Sequence, residues 1–463
     1  MFRKKSRLIP IFMFLWYGLL FSQEKMDLTL ERSVAIAFEN NPDLRMAEKE
    51  LKKSRAAVWE AYSSILPSVS GNASFQHFWD IQETTIPNFL KFMLGPMADM
   101  IPELGMMPDF VRISFGLENT FIYGVSLTQP LFLGGAGVTG IKIAMSAQRA
   151  ARQNLEGMRQ NLIYQTSSAF YGCLLAQELV RVQDQALRQA QANADVVEKK
   201  FNAGSASGFD KMRADVSVAN LKPPLISARN NLQLAITQLR NVLGLEQSVQ
   251  LEVIGTLEYS EDTFGDQSLS DLQSIALRER PEISALYEQK YISAKGITLA
   301  RSQFMPKLFF QTDYSQMAMR NDYKFARGDF SKGFSSAVAL QIPLFTGFKN
   351  VKSYQKAKLD YRIMLDSEKK IKDGIFAQVE VAYNKCQETE ETYIAASESV
   401  KMAEEALRLA NLMYEEGAST QLDVLESQLA LLRAQLNYIS SVFEYQMARY
   451  EMRMATGTLA GIL

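Results

Sequence analysis

The sequence predicts an α+β membrane protein in which four amphipathic strands are combined with long α-helices. A strand-like motif that ends in proline and glycine occurs twice, at residues 125–135 and 338–347. Each copy precedes more than 60 residues of helical pattern without proline. Beyond the N-terminal segment, no apolar run approaches the roughly 20 residues that a spanning helix needs. Any membrane insertion is therefore expected to use strands.

The two motifs belong to a tandem duplication. Their prolines, at positions 130 and 343, lie 213 residues apart, and the same offset relates Gly204 to Gly417, Asp210 to Asp423 and Cys173 to Cys386. Upstream, Pro42 matches Pro281, and Pro67 matches Pro306, at an offset of 239 residues. The sequence therefore predicts two copies of one unit, with an insertion in the first copy.

The sequence is divided into four segments, of which two are the copies of the repeat. Residues 1–22 have the basic start, apolar run and small-residue end of a secretory signal peptide. Residues 23–245 form the first repeat, residues 246–270 a mixed equatorial connector, and residues 271–463 the second repeat. The protein is therefore expected to be exported as one body with internal pseudo-symmetry.

Two helices are predicted before the first strand. Residues 28–44 indicate an amphipathic helix that is capped by Thr29 and stopped before Pro42. A second helix is expected from Asp43 to about Ile65, because Pro67 cannot continue it.

Four strands are predicted at residues 68–79, 111–129, 308–317 and 334–342, because apolar and polar residues alternate there. The first two strands place Val69, Phe75 and Val125 on one face, with serine, threonine and glutamine on the other. Such strands suit a barrel in lipid with a wet interior. Four strands cannot close a barrel, so several chains must contribute, and three chains would supply about twelve strands.

Residues 81–110 are predicted to be a long exposed loop with one short helix. They contain four prolines and five methionines. Methionine sulfur can bind Cu(I), but an adaptable apolar plug or lip at a barrel mouth is the favoured interpretation. His77, the single histidine, has no partner at metal-binding spacing and is expected to be an interface aromatic.

Two helical hairpins, at about residues 137–243 and 349–456, account for most of the remaining chain. Each long helix is expected to span roughly 100 Å and to turn at Gly204 or Gly417. Pro223 and Pro224 predict a kink or break in the first returning helix. The two cysteines lie within helical patterns and are expected to be free thiols.

Several functional classes are excluded by composition. Lysine and arginine number 50 and aspartate and glutamate 51, so nothing favours a nucleic-acid partner. The stretch 135–140 matches a dinucleotide fingerprint, but the helix that follows is far too long for a compact βαβ unit. No catalytic set or zinc cluster is visible. We therefore expect neither an enzyme nor a cofactor.

Several short motifs are similar to those of one family. Asn-Pro-Asp-Leu at 41–44, Gln-Pro-Leu-Phe-Leu-Gly-Gly at 129–135, the Gly-Ala-Ser-Thr-Gln-Leu-Asp turn at 417–423 and Ala-Thr-Gly at 455–457 resemble the TolC-like outer-membrane efflux proteins. The resemblance covers essentially the whole mature chain. It implies a homotrimer with a shared 12-strand barrel in the outer membrane and a twelve-helix periplasmic barrel, which docks a periplasmic adaptor and, through it, an inner-membrane pump.

The resemblance also implies a gate at the periplasmic helical tips. Aligned on the glycine turn, the acidic ring of the family falls on Asp423 and Glu426, and its gating tyrosine falls on Tyr414. Asp210 is the first-copy counterpart of Asp423, and its neighbour Arg213, in the place of Glu426, is a candidate partner. The gating arginine falls on Ser419, which cannot form that salt bridge. The tip turns implied for adaptor docking contain Gly204, Ser205, Gly417, Ala418 and Ser419.

Two interpretations of the acidic pair remain open at this point. Asp423 either lines a constriction, where three copies would attract cations and raise one another's pKa, or caps the returning helix. Glu426, one turn further in, favours pore lining. For the whole protein, a passive exit duct for efflux or type I secretion is expected, and the alternative is a structural periplasmic coiled-coil trimer. The sequence does not select a drug, metal or protein cargo.

Overall fold

The computed structural model describes residues 26–95, 97, 108–259 and 267–459. The expected signal peptide at 1–22 lies outside these residues, as do most of the methionine-rich part of the loop and residues 260–266 of the connector. Nine α-helices are described. They are α1 Leu30–Asn40, α2 Pro42–Ser63, α3 Phe89–Leu94, α4 Ala136–Asn202, α5 Gly208–Val242, α6 Leu269–Glu279, α7 Pro281–Ser302, α8 Lys349–Glu415 and α9 Gln421–Thr456.

Eight strands are described, and they form three sheets. They are β1 Met26–Leu28, β2 Ser68–His77, β3 Glu83–Pro87, β4 Phe110–Ser114, β5 Asn119–Phe132, β6 Leu251–Val253, β7 Lys307–Arg320 and β8 Ser331–Gln341. The main sheet has the antiparallel order β2-β5-β7-β8, so β2 and β8 are its edges. Strands β3 and β4 form a separate hairpin, and β1 pairs in parallel with β6.

The described chain forms two compact units. The helical unit is made of the described residues within Met1–Lys49, Gln153–Ser284 and Lys370–Leu463, and the sheet unit of those within Glu50–Arg152 and Ala285–Lys369. Within the described residues, no helix combines the length and apolarity that crossing a membrane requires.

The register of the main sheet separates its side chains into two chemically different faces. Cross-strand partners share a face, so Val69 lies beside Leu127, and Val125 beside Tyr314. These residues belong to a face on which large apolar side chains are exposed, and Val125, Phe334 and Val338 are 49%, 75% and 64% exposed. We call it the apolar face.

The opposite face is polar over most of its length. Ser70 pairs with Ser126, Ser126 with Asp313, and Asp313 with Ser335. Ile122 and Met317 interrupt this polarity near one end. We call this side the polar face. The alternation in the sequence therefore corresponds to two real surfaces, one apolar and one polar.

The stretch predicted as one strand at 111–129 is divided. The chain turns at Gly116, whose φ of 133° most side chains avoid, and β4 before this turn pairs with β3 instead of joining the main sheet. The loop at 81–110 therefore contains strand β3 and helix α3. Sequence alternation could not reveal the division, because both pieces alternate in the same phase.

The helices largely follow local rules. Thr29 caps α1 by accepting a hydrogen bond from the backbone N–H of Arg32, as predicted. Both long helices, α4 and α8, contain 67 residues. Of the kink or break expected at Pro223 and Pro224, the break is wrong, because α5 continues through both prolines as a single helix.

The helical unit is held by buried apolar clusters and by aromatic contacts. One cluster joins Val34 of α1 with Ile163 of α4 and Tyr450 of α9. The connector adds Tyr259, whose ring is parallel to that of Tyr393 at a centroid distance of 4.2 Å. Cys173 and Cys386 are free thiols, as expected. In this unit the pKa of Cys173 is raised to about 12 by burial, so the thiol stays protonated.

Gly457 ends α9 in a conformation that only glycine adopts easily. Its φ is 77°, and an added Cβ would lie 2.8 Å from the backbone N of Arg280. Gly417 has almost the same φ, 75°, but an added Cβ would meet nothing within 4 Å. Substituting each glycine in turn therefore distinguishes the cost of left-handed backbone strain from the cost of a steric clash.

We predict that Gly457→Ala destabilises the protein more than Gly417→Ala. Each substitution carries about 1–2 kcal/mol of left-handed strain. Gly457→Ala adds roughly 1–3 kcal/mol because the Arg280 backbone must shift. Urea unfolding of the purified protein, followed by circular dichroism, measures the difference. Equal unfolding midpoints for the two variants would contradict the close approach at Arg280.

Candidate gate at the helical tips

The tip of the first hairpin is closed by local hydrogen bonds. After α4 ends, Gly204 adopts a φ of 75°, and the backbone N–H of Ser205 donates to the carbonyl oxygen of Lys200 at 2.8 Å. Ser207 then caps α5, and its hydroxyl donates to Asp210 at 2.7 Å while accepting from the Asp210 backbone N–H. This reciprocal pair is a capping box.

The tip of the second hairpin is built in the same way. Gly417 reverses the chain, and the backbone N–H of Ala418 donates to the Met413 carbonyl at 2.7 Å. Thr420 caps α9, and Asp423 accepts hydrogen bonds from both the backbone N–H and the hydroxyl of Thr420, each at 2.7 Å. Asp423 is exposed in the single chain.

Both aspartates therefore take part in capping a helix. A carboxylate in the first turn satisfies unpaired N–H groups and lies at the positive end of the helix dipole. The hydrogen bonds from Thr420 hold the pKa of Asp423 below its usual value, and those from Ser207 do the same for Asp210. The capping interpretation of Asp423 is thus confirmed, and its role in a pore stays a prediction.

Tyr414 lies where the two hairpins of one chain meet. The ammonium of Lys200 is 3.9 Å from the centroid of the Tyr414 ring, and the same ammonium donates to the Tyr414 carbonyl at 3.3 Å. Burial, together with the negative charge of Asp210, raises the pKa of Tyr414. A cation over a tyrosine face stabilises the contact by about 0.5–1 kcal/mol at an exposed site.

Glu426 lies in a groove between helices of the two hairpins. The groove has a volume of about 360 Å³ and an apolar floor that includes Leu221, Leu425 and Leu432. Glu426 and Arg213 both line it. Glu426 is exposed, so its carboxylate is available to solvent.

Arg213 does not pair with Glu426. Among the described residues Arg213 forms no ion pair, and its guanidinium carbon lies 4.5 Å from the centroid of the Phe209 ring. Within the described part of one chain, the candidate partner that the sequence left open for Arg213 is therefore not Glu426. Arg213 acts on Asp210 instead, because its positive charge helps to lower the pKa of that carboxyl.

Ser419 has a local role. Its hydroxyl donates to the carbonyl oxygen of Ala410 at 3.4 Å, and its backbone N–H donates to the Met413 carbonyl. The side chain thus supports the turn and makes no charged lock, as its chemistry requires.

Two tip contacts were missed from the sequence. Lys211 forms a 2.7 Å ion pair with Glu198 across the first turn, and Lys200 contacts Tyr414 on the other hairpin. Glu198 lies four residues before the end of α4 and Lys211 three residues after the start of α5, so hairpin geometry could have predicted their pairing. The contact between Lys200 and Tyr414 joins distant parts of the chain and leaves no local signal.

The described residues of the tips show no arrangement that indicates catalysis or metal binding. Within the described ranges, no three histidine, cysteine, aspartate or glutamate side chains are grouped so that they could hold a metal ion. His77, in the sheet unit, accepts or donates a hydrogen bond with Asn119 at 2.8 Å and packs edge-on against Trp79. Its surroundings are those of a structural aromatic.

Three curated relatives resemble the chain over most of its length. The pyoverdine export outer membrane protein OpmQ of Pseudomonas putida is 25% identical, with 86% of this chain and 79% of that protein covered. The cobalt-zinc-cadmium resistance protein CzcC of Cupriavidus metallidurans is 23% identical, with coverage of 87% and 83%. The alkaline protease secretion protein AprF of Pseudomonas aeruginosa is 22% identical, with coverage of 89% and 80%.

Solved structures show the same fold. The CmeC outer membrane channel of Campylobacter jejuni matches with a TM-score of 0.74 at 18% identity, covering 93% of this chain and 85% of that one. A family model described as outer membrane efflux protein matches residues 34–245 and 272–458, which include both hairpins and the main sheet. The chain therefore belongs to the outer membrane efflux protein family, and its place is the outer membrane.

Proposed function

We propose that three copies of this chain form a passive exit duct for a tripartite efflux or type I secretion system. The observation that carries the proposal is the main sheet, with its apolar face, its polar face and two edges that have no partner within the described chain. Transmembrane barrels place apolar side chains toward lipid and polar side chains toward the interior. A four-stranded sheet cannot close, so its edges β2 and β8 are joined between chains to give twelve strands.

The helical hairpins continue the duct on the periplasmic side. A helix of 67 residues, such as α4 or α8, spans about 100 Å at 1.5 Å per residue. Each chain contributes two hairpins, and three chains contribute twelve helices. The matched tips, with Gly204 and Gly417 at the same φ of 75° and a capping box after each, support the proposed tandem duplication.

The tips form the gate of the proposed duct. In a trimer, Asp423 and Glu426 would supply two rings of three carboxylates each, which attract cations at a constriction. Tyr414 is held by Lys200 and is close enough to Asp210 for that carboxylate to raise its pKa. The turns with Gly204, Ser205, Gly417, Ala418 and Ser419 are the proposed docking points of a periplasmic adaptor, which connects the duct to an inner-membrane pump.

The relatives' names cover three kinds of cargo. They refer to pyoverdine export, resistance to cobalt, zinc and cadmium, and secretion of alkaline protease. The proposal therefore concerns the duct and leaves its cargo among small molecules, metal ions and proteins. The amphipathic sheet and the family match favour the duct over the structural coiled-coil trimer, which needs no lipid-facing sheet.

We predict that the purified protein forms cation-selective pores in planar bilayers and that divalent cations block them. The double variant Asp423→Asn/Glu426→Gln should raise the half-blocking concentration by about tenfold or more, because the charge at the constriction is lost. Single-channel current under a titration of divalent cations measures the block.

The matched control is Glu391→Gln/Glu398→Gln, which removes two exposed carboxylates from α8 away from the tips. Divalent cations should block its pores at the same half-blocking concentration as wild-type pores. Pores with unchanged block in both double variants would leave Asp423 as a cap only. Well-folded trimers without pores would contradict the duct itself.

The block should also persist in mild acid. The hydrogen bonds from Thr420 hold the pKa of Asp423 below the usual 3.8, so this carboxylate remains charged as the pH falls from 7 to about 5. Half-blocking concentrations for Glu426→Gln pores, which retain only the Asp423 ring, should change less than about twofold over that range. A block that disappears by about pH 5 would mean that repulsion within the ring outweighs the cap.

A further inference from the structure

The loop at residues 321–330, between β7 and β8, folds over the apolar face of the main sheet. The ring of Phe325 lies 5.9 Å from that of Phe121, and the ring of Phe330 lies 5.3 Å from that of Tyr123, measured between centroids. Beneath them Ala318 is only 1% exposed. Phe121, Tyr123 and Ala318 all belong to the apolar face by register.

A second aromatic contact extends this cover toward the edge strand. Tyr323 lies 6.1 Å from Phe75 and is stacked with His77 at 6.0 Å, again between ring centroids. Phe75 is on the apolar face, since it pairs with Phe121. We call the loop, together with the first residues of β8, the aromatic rim.

The rim carries an excess of positive charge. Its two acids, Asp322 and Asp329, both bind Arg320, at 2.6 and 2.9 Å. Three further cations, Lys324, Arg327 and Lys332, are exposed, and none forms an ion pair with another described residue. The two acids of the loop itself are thus already occupied by one arginine, and three cations remain available.

Lys332 is placed on the apolar face itself. It pairs with Gln316 in the sheet, and Gln316 pairs with Tyr123. Next to it, the Tyr123 hydroxyl donates to the Gln316 side chain at 2.7 Å, and Gln316 donates to the Tyr314 hydroxyl. Polar groups therefore interrupt the apolar face at this level, where a lysine can extend its ammonium past apolar surface.

The position of the rim follows from the connections of the strands. Strand β5 leads into α4 and strand β8 into α8 from the end of the sheet opposite to the rim. In the proposed duct the helices are periplasmic, so the rim lies at the extracellular boundary of the apolar face. Aromatic and basic side chains suit the level of lipid headgroups.

We propose that the aromatic rim binds the phosphate-bearing headgroups of anionic lipids in the outer leaflet of the outer membrane. This inference rests on the proposed function, because it needs the apolar face to contact lipid. The rim is continuous with that face, and a net positive charge at a lipid boundary selects negatively charged headgroups over zwitterionic ones. Lys324, Arg327 and Lys332 supply the charge, and the packed rings hold the loop in place.

Native mass spectrometry of the detergent-purified protein tests the proposal, with phosphatidylglycerol and phosphatidylcholine as the two lipid probes. Wild-type protein should bind phosphatidylglycerol more tightly than phosphatidylcholine. The triple variant Lys324→Gln/Arg327→Gln/Lys332→Gln should weaken phosphatidylglycerol binding by on the order of 100-fold, because each basic residue near an anionic surface contributes about fivefold. The single variant Lys332→Gln should weaken it about fivefold and serves if the triple variant misfolds.

The matched control Lys49→Gln/Lys52→Gln/Lys401→Gln removes the same charge from exposed helical positions. It should bind like the wild type. An equal loss of phosphatidylglycerol binding in the control and rim variants would overturn the proposal, because net charge alone would then determine lipid binding. Displacement of the lipid by millimolar inorganic phosphate would also overturn it, by making the rim a phosphate site. Pore formation by the same preparations is measured in parallel, so a failed duct is distinguished from a failed rim.

Discussion

The constraint on which the rest of the structure depends is the pair of open edges on the main sheet. Strand β2 and strand β8 each have one partner only within the described chain. In hydrocarbon, an unpaired backbone N–H or C=O group costs several kcal/mol. A sheet with an exposed apolar face therefore cannot stay in a membrane as a single four-stranded piece. In the proposed trimer, joining β2 of one chain to β8 of the next would remove both open edges of the main sheet.

Two opposing electrostatic effects meet at the tips. Within one chain, Thr420 stabilises the ionised form of Asp423, and the α9 dipole adds to that stabilisation. In a ring of three chains, neighbouring carboxylates would stabilise the neutral form. In the sequence analysis, helix capping and pore lining were alternative roles for Asp423. One carboxylate can nevertheless have both roles. A capped aspartate is a well-suited ring member, because the cap keeps it charged against the repulsion of its copies.

Much of the fold could be predicted because its signals are local. The alternation around Val69 and Val125 and the cap at Thr29 depend on neighbouring residues, so they can be predicted directly from the sequence. Some predictions failed because the sequence pattern near a residue did not determine the structure that forms there. Strand β4 alternates like β5 but pairs elsewhere. A kink or break was expected at Pro223 and Pro224, and the helix continues through them without a break. Contacts such as Lys200 with Tyr414 join distant segments and have no sequence signature.

Native mass spectrometry of the purified protein in detergent, at low protein concentration, measures directly how many chains share the sheet edges. We expect a particle of three chains that survives dilution, because separating the chains would expose two sheet edges on each. A stable single chain that keeps its strands and its apolar face would contradict the account, since the edges would then need no partner.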